Sequence, residues 1–496
     1  MRNISLVVRR RERMGKRLTA VALWFTSILV AFSTAAFATD GMDLEGYGPI
    51  ATGMGGASMA YDNGTAAMMN NPATLGLMPT GDRFDVALGY LGPHITASTP
   101  GAPDATSSAN AFFMPAVGWA TKSGALTYGF GVFSQGGMGT KYDGNSFLAA
   151  GSGEEVKSQL GVGRAMIPVA YNVNDKFTIG GSLDFVWASL DLKMAMSGAQ
   201  FGNMLPGAPQ TNGAASGSMV NKLMGAIGAG QLTDLNWARF DFNEDNPFEG
   251  AARSYGYAAK IGGVYKVSDA LALGAMYQSE TNLSDMEADG ATVSMNVVGP
   301  SVGSATIPVT GKIKVVDFQW PQTVGLGAAY QATDKLMIVF DYKWINWETT
   351  MKNFKMTFSA DSIQANPLAE NFGLGGQSID AVLFQNWKNQ NVFMLGAGYK
   401  VTDEFTVRAG VNIANNPIPD QYMNPLFPAI EKDHYMIGAG YMFTKASSID
   451  ASFTYAPPVS ATTQAQTGSA FAPGPTVPVT VSHYQTNAQV MYSYRF

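Results

Sequence analysis

Apolar and polar residues alternate through much of this chain, in runs that are broken by short polar turns. Residues 177–187 and 406–413 are two such runs, rich in Val, Ile, Phe and Gly, and their alternation predicts β-strands with two different faces. A recurrent phrase, a Tyr followed by a polar turn that contains Asp, ends four of the runs, and a fifth copy is degenerate. The copies are YNVNDK at 171–176, YKVSDA at 265–270, YQATDK at 330–335, YKVTDE at 399–404 and YMFTKA at 441–446.

These turns predict hairpins, and a Tyr before each turn indicates an aromatic belt at one membrane interface. A sixth short turn lies at 120–124. Seven longer segments alternate with the short turns, near 91–110, 134–157, 195–253, 287–305, 353–390, 416–432 and 457–480. These connections predict an all-β fold, a 14-stranded antiparallel transmembrane β-barrel over residues 81–496. Charged residues inside the predicted strands, which we expect to face the lumen, are Asp184, Asp341, Arg408 and Asp450.

The composition agrees with a membrane barrel. Hydrophobic residues make up 46% of the chain and charged residues 14%, whereas a soluble domain carries about a quarter charged residues. A secreted β-sandwich would also be rich in Gly but would usually carry more charge. The net charge of −6 argues against nucleic acid as a partner. With no Cys, the chain has neither disulfides nor thiolate chemistry.

Two segments precede the predicted barrel. Residues 1–38 have the order of a secretory signal peptide, with basic residues, an apolar stretch at 18–32 and AFA at 36–38. We therefore expect export to the bacterial outer membrane. Residues 39–80 are rich in Gly and irregular, yet too apolar for a disordered tail. Because irregular backbone at membrane depth is tolerated inside a barrel, we expect this segment to form an N-terminal hatch.

Three blocks of sequence resemble the FadL/TodX family of outer-membrane transporters of hydrophobic compounds. They are GMGGA at 53–57 with NPA at 71–73, WPQTVGLG at 320–327 with DYKWINW at 341–347, and RAGV at 408–411 with NPIP at 416–419. The resemblance implies a monomer without cofactor or metal, in contact with outer-membrane lipids. It implies passive, ligand-gated passage through a lateral opening at a kink in the third strand, here 127–135. Hatch and gating roles fall on Gly53, Gly55, Asn71, Pro72, Ala73, Gly136 and Gly137.

The two longest segments predict helical extracellular loops that receive the ligand. Apolar residues at helical spacing in 195–253, with others in 353–390, favour an apolar docking surface, although packing on the barrel rim explains the same pattern. The candidate apolar contacts are Met219, Leu223, Ile227 and Phe384. A carboxylate head group would need a cation, for which Lys193 and Lys388 are candidates, whereas a neutral aromatic ligand needs none. Ordinary solvated charges are the alternative for both lysines.

The sequence thus predicts uptake of hydrophobic small molecules, long-chain fatty acids before monoaromatic hydrocarbons, and no enzyme. A rim enzyme of the phospholipase type is one alternative, with Ser301 and His434 as candidates. GPSVG at 299–303 spells a nucleophile motif, but it lies in a predicted loop without the strand-to-helix turn that such a motif needs. A non-selective porin is another alternative, and it predicts ion conductance.

Overall fold

The computed structural model describes residues 40–244, 246 and 249–496, so the predicted signal peptide lies outside the described residues. Within these ranges the strands form one antiparallel sheet that closes on itself. Strand β1 (Gly81–Ser98) pairs along one edge with β22 (Pro473–Arg495) and along the other with β3 (Phe112–Ser123). Closure provides the partners that strand N–H and C=O groups need in a bilayer. No helix in the described ranges is long and apolar enough to span a membrane.

The ring consists of strands that follow one another in chain order. Between β3 and β22 they are β4 (Leu126–Tyr142), β5 (Val156–Asn172), β6 (Phe177–Ser197), β9 (Ala252–Lys266), β10 (Leu271–Gln278), β14 (Thr323–Gln331), β15 (Leu336–Ile345), β18 (Gln390–Lys400), β19 (Phe405–Ala414), β20 (Asp433–Met442) and β21 (Ser447–Gly468). The pleat separates two faces, since Leu183 and Phe185 of β6 are exposed while Asp184 is buried.

The two sequence predictions about the ring surface are confirmed. The tyrosines that precede the short turns, Tyr171, Tyr265, Tyr330, Tyr399 and Tyr441, are 46–49% exposed at the ends of their strands. The charged strand residues point inward. Asp184, Asp341 and Asp450 are buried, and Arg408 Nη1 lies 2.9 Å from Asp450 Oδ1.

The remaining strands extend the sheet beyond the ring. They are β2 (Ala105–Thr106), β7 (Gly213–Ser216), β8 (Asp234–Phe242), β11 (Asn282–Leu283), β12 (Met286–Gly299), β13 (Gly303–Val316), β16 (Asn353–Ala360) and β17 (Ser378–Phe384). Strand β8 pairs with the last part of β6, and the pairing continues through β12, β13, β16 and β17 to β7. We call these six strands, β7, β8, β12, β13, β16 and β17, the cap sheet.

The predicted fold class, a 14-stranded barrel with helical extracellular loops, is wrong because the sheet does not end with the fourteen strands of the ring. The sheet has 22 strands, and the segments predicted as long loops contain the cap sheet and extensions of the ring strands. Helices are few and short. The α-helices are Pro49–Thr52, Gly198–Met204, Ser218–Gly228, Trp347–Thr350 and Pro367–Asn371, and the 3-10 helices are Gly64–Met68, Pro72–Leu77, Phe147–Ala149 and Asp420–Tyr422.

The cap sheet escaped the sequence analysis because its outer face carries charges instead of apolar residues. Lys312 lies 2.8 Å from Asp289, and Lys314 lies 2.5 Å from Glu287, in pairs across β12 and β13. Cross-strand ion pairs stabilise a solvated sheet face. A search for alternating apolar residues predicts a polar loop for such a sequence instead of strands.

Residues 40–80, which we call the hatch, pack against the inner face of the ring on several sides. Thr65 contacts β1, Asn71 contacts β9, Ser58 contacts β15, and Gly55 contacts β18 and β19. Almost the whole segment is buried, and its regular structure is limited to three short helices. The backbone is irregular as expected, since the surrounding ring supplies its hydrogen-bond partners.

Inside the ring, a buried ion pair joins neighbouring strands. Arg164 Nη1 of β5 lies 2.7 Å from Asp184 Oδ2 of β6, and both side chains are fully buried. Ser182 Oγ donates to Asp184 Oδ1 at 2.7 Å, and Arg164 Nε donates to Gln135 Oε1 at 2.5 Å. These bonds satisfy most of the polar atoms of the pair, which a buried charge requires.

We predict that Asp184→Ala lowers the free energy of unfolding by about 3–5 kcal/mol, because it leaves the buried Arg164 guanidinium without its carboxylate. Urea titration of the protein in lipid vesicles, followed by Trp fluorescence, measures this value. Glu287→Ala, which breaks an exposed pair, should change it little. Equal effects of the two substitutions would contradict the prediction.

Candidate transport site

The wall of the barrel is interrupted between β3 and β4. The two strands pair from Ser123, opposite Leu126, to Val117, opposite Val132. Within the described residues the pairing goes no further. Above the interruption, Ser108 N donates to Lys141 O at 2.8 Å, which closes the upper border. The edge of β4 at 133–140 thus faces no neighbouring strand on this side, and we call this opening the lateral window.

The hatch closes the lateral window from inside. Asp43 forms a β-bridge with Gly136, and Gly137 N donates to Met42 O at 3.1 Å. A Cβ on Gly136 would collide with the Met42 carbonyl oxygen, so only glycine allows this approach. The register of β4 against β5 shifts between Ser134 and Gly136, which is a bulge of the kind that bends a strand.

A small cavity of about 40 Å³, the lateral cavity, lies between the hatch and the lateral window. Apolar and small side chains from the hatch, β1, β3, β4 and β22 surround it. Its lining includes Leu44, Tyr47, Thr65, Ala66, Ala87, Met114, Pro115, Ala116, Val117, Phe133, Ser134, Gln489 and Met491, and the carboxylate of Asp85 is its charged member.

A second small cavity of about 20 Å³, the upper cavity, lies on the other side of the hatch segment 42–47 and has no charged residue in its lining. It is lined by Met42, Met138, Leu160, Phe318, Met351, Phe354, Leu383, Gln385, Asn424 and Phe427. The geometry places a small uncharged pocket above the hatch, which admits an aromatic ring only when its lining side chains move apart, and an opening in the wall beside it. Within the described residues no group of three or more His, Asp or Glu could hold a metal ion.

Carboxylates of the wall hold the hatch backbone. Asp341 Oδ2 of β15 accepts hydrogen bonds from Ser58 N at 2.5 Å and Met59 N at 3.0 Å. Asp85 Oδ2 of β1 accepts bonds from Thr65 N at 2.8 Å and from its hydroxyl at 2.9 Å. These two carboxyl groups anchor the central part of the hatch, at residues 58–59 and at residue 65.

Comparison with known proteins agrees with this architecture. Residues 27–496 match the model of the family described as "Outer membrane protein transport protein (OMPP1/FadL/TodX)". The chain belongs to this family. As a FadL/TodX family member it is an outer-membrane protein, as the sequence predicted.

Several family members have solved structures. The toluene transporter TodX of P. putida superposes with a TM-score of 0.75 at 30% identity, over 92% of this chain and 99% of that one. The toluene transporter TbuX of Ralstonia pickettii gives 0.69 at 29%, over 91% and 99%. A Pseudomonas aeruginosa FadL homologue, at 15% identity and a TM-score of 0.66, shares the fold alone.

Curated relatives match over shorter stretches. An uncharacterized protein of Chlorobium limicola is 49% identical over 76 residues, which is 15% of this chain and 35% of that protein. Outer membrane protein P1 of Haemophilus influenzae is 23% identical over 202 residues, which is 41% of this chain and 38% of that protein. The chain thus spans less than half the length of the curated relatives it matches.

Of the residues predicted to contact ligand in this family member, none lines the upper cavity. Met219 and Leu223 are buried in the helix Ser218–Gly228, which packs on β7 and β17, and Ile227 is half-buried beside them. Phe384 is half-buried at the end of β17, next to Leu383, which does line the cavity. The apolar residues at helical spacing therefore lie where this helix packs on β7 and β17.

The two candidate cations also lie away from the cavity linings. Lys193 Nζ lies 3.1 Å from Glu155 Oε1, in a pair on the rim. Lys388 is exposed, and its backbone N–H donates to Pro417 O at 2.7 Å. Neither lysine lines the upper or the lateral cavity.

The predicted hatch residues contact the wall closely. Gly55, with φ of +75°, leaves no room for a side chain, since a Cβ there would lie 2.6 Å from Val411 O. Gly53 lies against Gly438 of β20. Asn71 Nδ2 donates to Met59 O at 2.7 Å and to Gly263 O at 3.3 Å, and its Oδ1 caps the helix that begins at Pro72 by accepting from Ala73 N at 3.1 Å.

The predicted rim-enzyme pair is not assembled. Ser301 is exposed in the turn between β12 and β13, whereas His434 is fully buried on β20, and these strands are not neighbours. The wall anchors Asp85 and Asp341 were missed as site residues. Their position inside apolar strands could have indicated a contact with the hatch, because a charged residue there must find a partner in the lumen.

We predict that Asp341→Ala raises the open probability of the channel more than tenfold, because two buried hatch N–H groups lose their acceptor, at a cost of about 1–3 kcal/mol for each group left unsatisfied. Ion current across planar bilayers measures it. Asp403→Ala, in an exposed turn, is the matched control. A current as low as that of the unmodified protein would show that Asp341 does not hold the hatch.

A buried carboxyl lies in the loop between β19 and β20. Glu431 is 1% exposed, and its Oε1 lies 3.6 Å from His483 Nδ1. Burial, reinforced by the nearby Asp433 charge, raises the pKa of Glu431 to about 9. The folded protein therefore keeps a proton there that the unfolded chain loses above its ordinary pKa of 4.5.

The titration of Glu431 therefore does not lower the free energy of unfolding below pH 4.5, and it lowers this free energy progressively as the pH rises toward 9. We predict that Glu431→Gln unfolds like the unmodified protein at pH 4 and becomes progressively more stable than it up to pH 9. Urea midpoints across this range test the prediction, with Asp403→Asn as control. Parallel pH profiles for all three proteins would contradict it.

Proposed function

We propose that this outer-membrane protein admits neutral hydrophobic compounds, monoaromatic hydrocarbons ahead of long-chain fatty acids, by passive diffusion. A molecule from the extracellular side occupies the upper cavity, passes the hatch segment 42–47, enters the lateral cavity and leaves through the lateral window. The observation that carries the proposal is the pair of cavities on either side of one hatch segment, the second of which opens at the gap between β3 and β4.

The chemistry of the upper cavity favours a neutral ligand. Its lining is made of Met, Leu and Phe side chains with only the amides of Gln385 and Asn424 as polar groups. A carboxylate placed there would lose its hydration without gaining a cation, because Lys193 and Lys388 lie elsewhere. An aromatic hydrocarbon has no such cost and gains about 25 cal/mol for each Å² of apolar surface buried.

The relatives support the same ligand class. Both solved toluene transporters resemble this chain over more than nine-tenths of its length, at 29–30% identity. The sequence analysis ranked fatty acids ahead of monoaromatic hydrocarbons. Its candidate anchors for a carboxylate, Lys193 and Lys388, line neither cavity, which favours the neutral ligand. The monomeric state, the lipid contacts and the hatch and gating roles stay predictions.

Uptake of radiolabelled toluene and oleate by cells that lack other such channels tests the proposal at matched protein levels. We predict that Leu383→Trp, which fills the upper cavity, lowers toluene uptake at least fivefold. Leu326→Trp, on the exposed outer face of β14, should leave it unchanged. Oleate uptake that exceeds toluene uptake and falls with Lys193→Ala would overturn the ligand class.

A further inference from the structure

One hatch side chain connects the lateral cavity to the bulge in β4. Tyr47 lines the lateral cavity, and its ring packs on both apolar clusters of the interior. The first cluster contains Met42, Met138 and Leu160 of the upper cavity as well as Leu44 and Met114 of the lateral cavity, and the second contains Phe133 of the lateral cavity. Among the described residues, Tyr47 is the only partly buried side chain that packs on both.

The hydroxyl of Tyr47 ties the hatch to the bulge in β4. It donates a hydrogen bond to the backbone carbonyl of Gln135 at 2.6 Å, and Asp43 Oδ1 lies 3.2 Å away. Gln135 is the residue at the register shift that borders the lateral window. A phenol has one proton, so the short bond to Gln135 is the main one, with Asp43 as a second acceptor.

The surroundings hold this bond in place from both sides. Asp43 Oδ1 also accepts from Trp320 Nε1 at 2.9 Å, and the Gln135 side chain accepts from Arg164 Nε at 2.5 Å. Burial, followed by the Asp43 charge, raises the pKa of Tyr47 well above its ordinary value, so the phenol keeps the proton it donates. Both ends of the bond are thus fixed to the barrel wall.

We propose that Tyr47 holds the hatch against the bulge in β4, and that its bond to the Gln135 carbonyl sets how readily a hydrophobic ligand reaches the lateral window. The ring obstructs the route, and the hydroxyl fixes the ring against the bulge. Passage requires the ring to move, which breaks one buried hydrogen bond and no covalent or ionic link. This assignment rests on the proposed function and names its rate-setting residue.

The absence of Cys from the chain allows a direct test. Ala116→Cys places one thiol in the lateral cavity, and its rate of reaction with N-phenylmaleimide, a small neutral aromatic probe, reports access to that cavity. We predict that Tyr47→Phe, which keeps the ring but removes the bond, accelerates labelling about fivefold, the effect of one net hydrogen bond. Tyr47→Ala, which also removes the ring, should accelerate it further.

The matched control is Tyr61→Phe, because Tyr61 is a buried hatch tyrosine whose hydroxyl donates to Ala57 O at 2.6 Å and whose side chain lines neither cavity. Its labelling rate should equal that of the Ala116→Cys parent. Equal rates for the Tyr47 variants and the parent, or equal acceleration by Tyr61→Phe, would overturn the assignment. Labelling needs no transported substrate, so absence of toluene uptake by the unmodified protein would reject the proposed function without deciding the role of Tyr47.

Discussion

Everything in this structure depends on one requirement, which is that a strand edge in a bilayer must find protein partners for its N–H and C=O groups. Strand β3 stops pairing with β4 at Val132, and the hatch takes over part of that free edge through Met42 and Asp43. The gap in the wall and the segment that plugs it therefore form one structural unit. Movement of either leaves backbone groups of the other unpaired.

The charges of the lumen follow from the same requirement. An irregular hatch has backbone N–H groups without strand partners, and Asp85 and Asp341 accept hydrogen bonds from several of them. Lys343 Nζ in turn lies 2.6 Å from Asp40 at the start of the described hatch. The hatch is thus held to the wall by directional contacts at several points along its length.

The sequence was sufficient for the ring and insufficient for the cavities. Period-2 alternation and the turns after Tyr171, Tyr265, Tyr330 and Tyr399 predicted strands with their tyrosines outward, because lipid imposes a strict apolar face. The cap sheet has no such constraint, since water meets its outer face and charge pairs replace the apolar pattern. The upper cavity was out of reach because residues as distant as Met138, Met351 and Phe427 meet only in the folded chain.

The lateral window has a consequence for the barrier that an outer membrane must keep. A route that ran straight through the barrel would require the plug to leave, and water and ions would follow the solute. In the proposed route, an exit in the wall delivers a hydrophobic molecule into the hydrocarbon layer, where ions do not dissolve. Which molecules pass then depends on their partition into the hydrocarbon layer as much as on their binding to the protein. On this route the periplasmic end of the barrel can stay sealed during every passage.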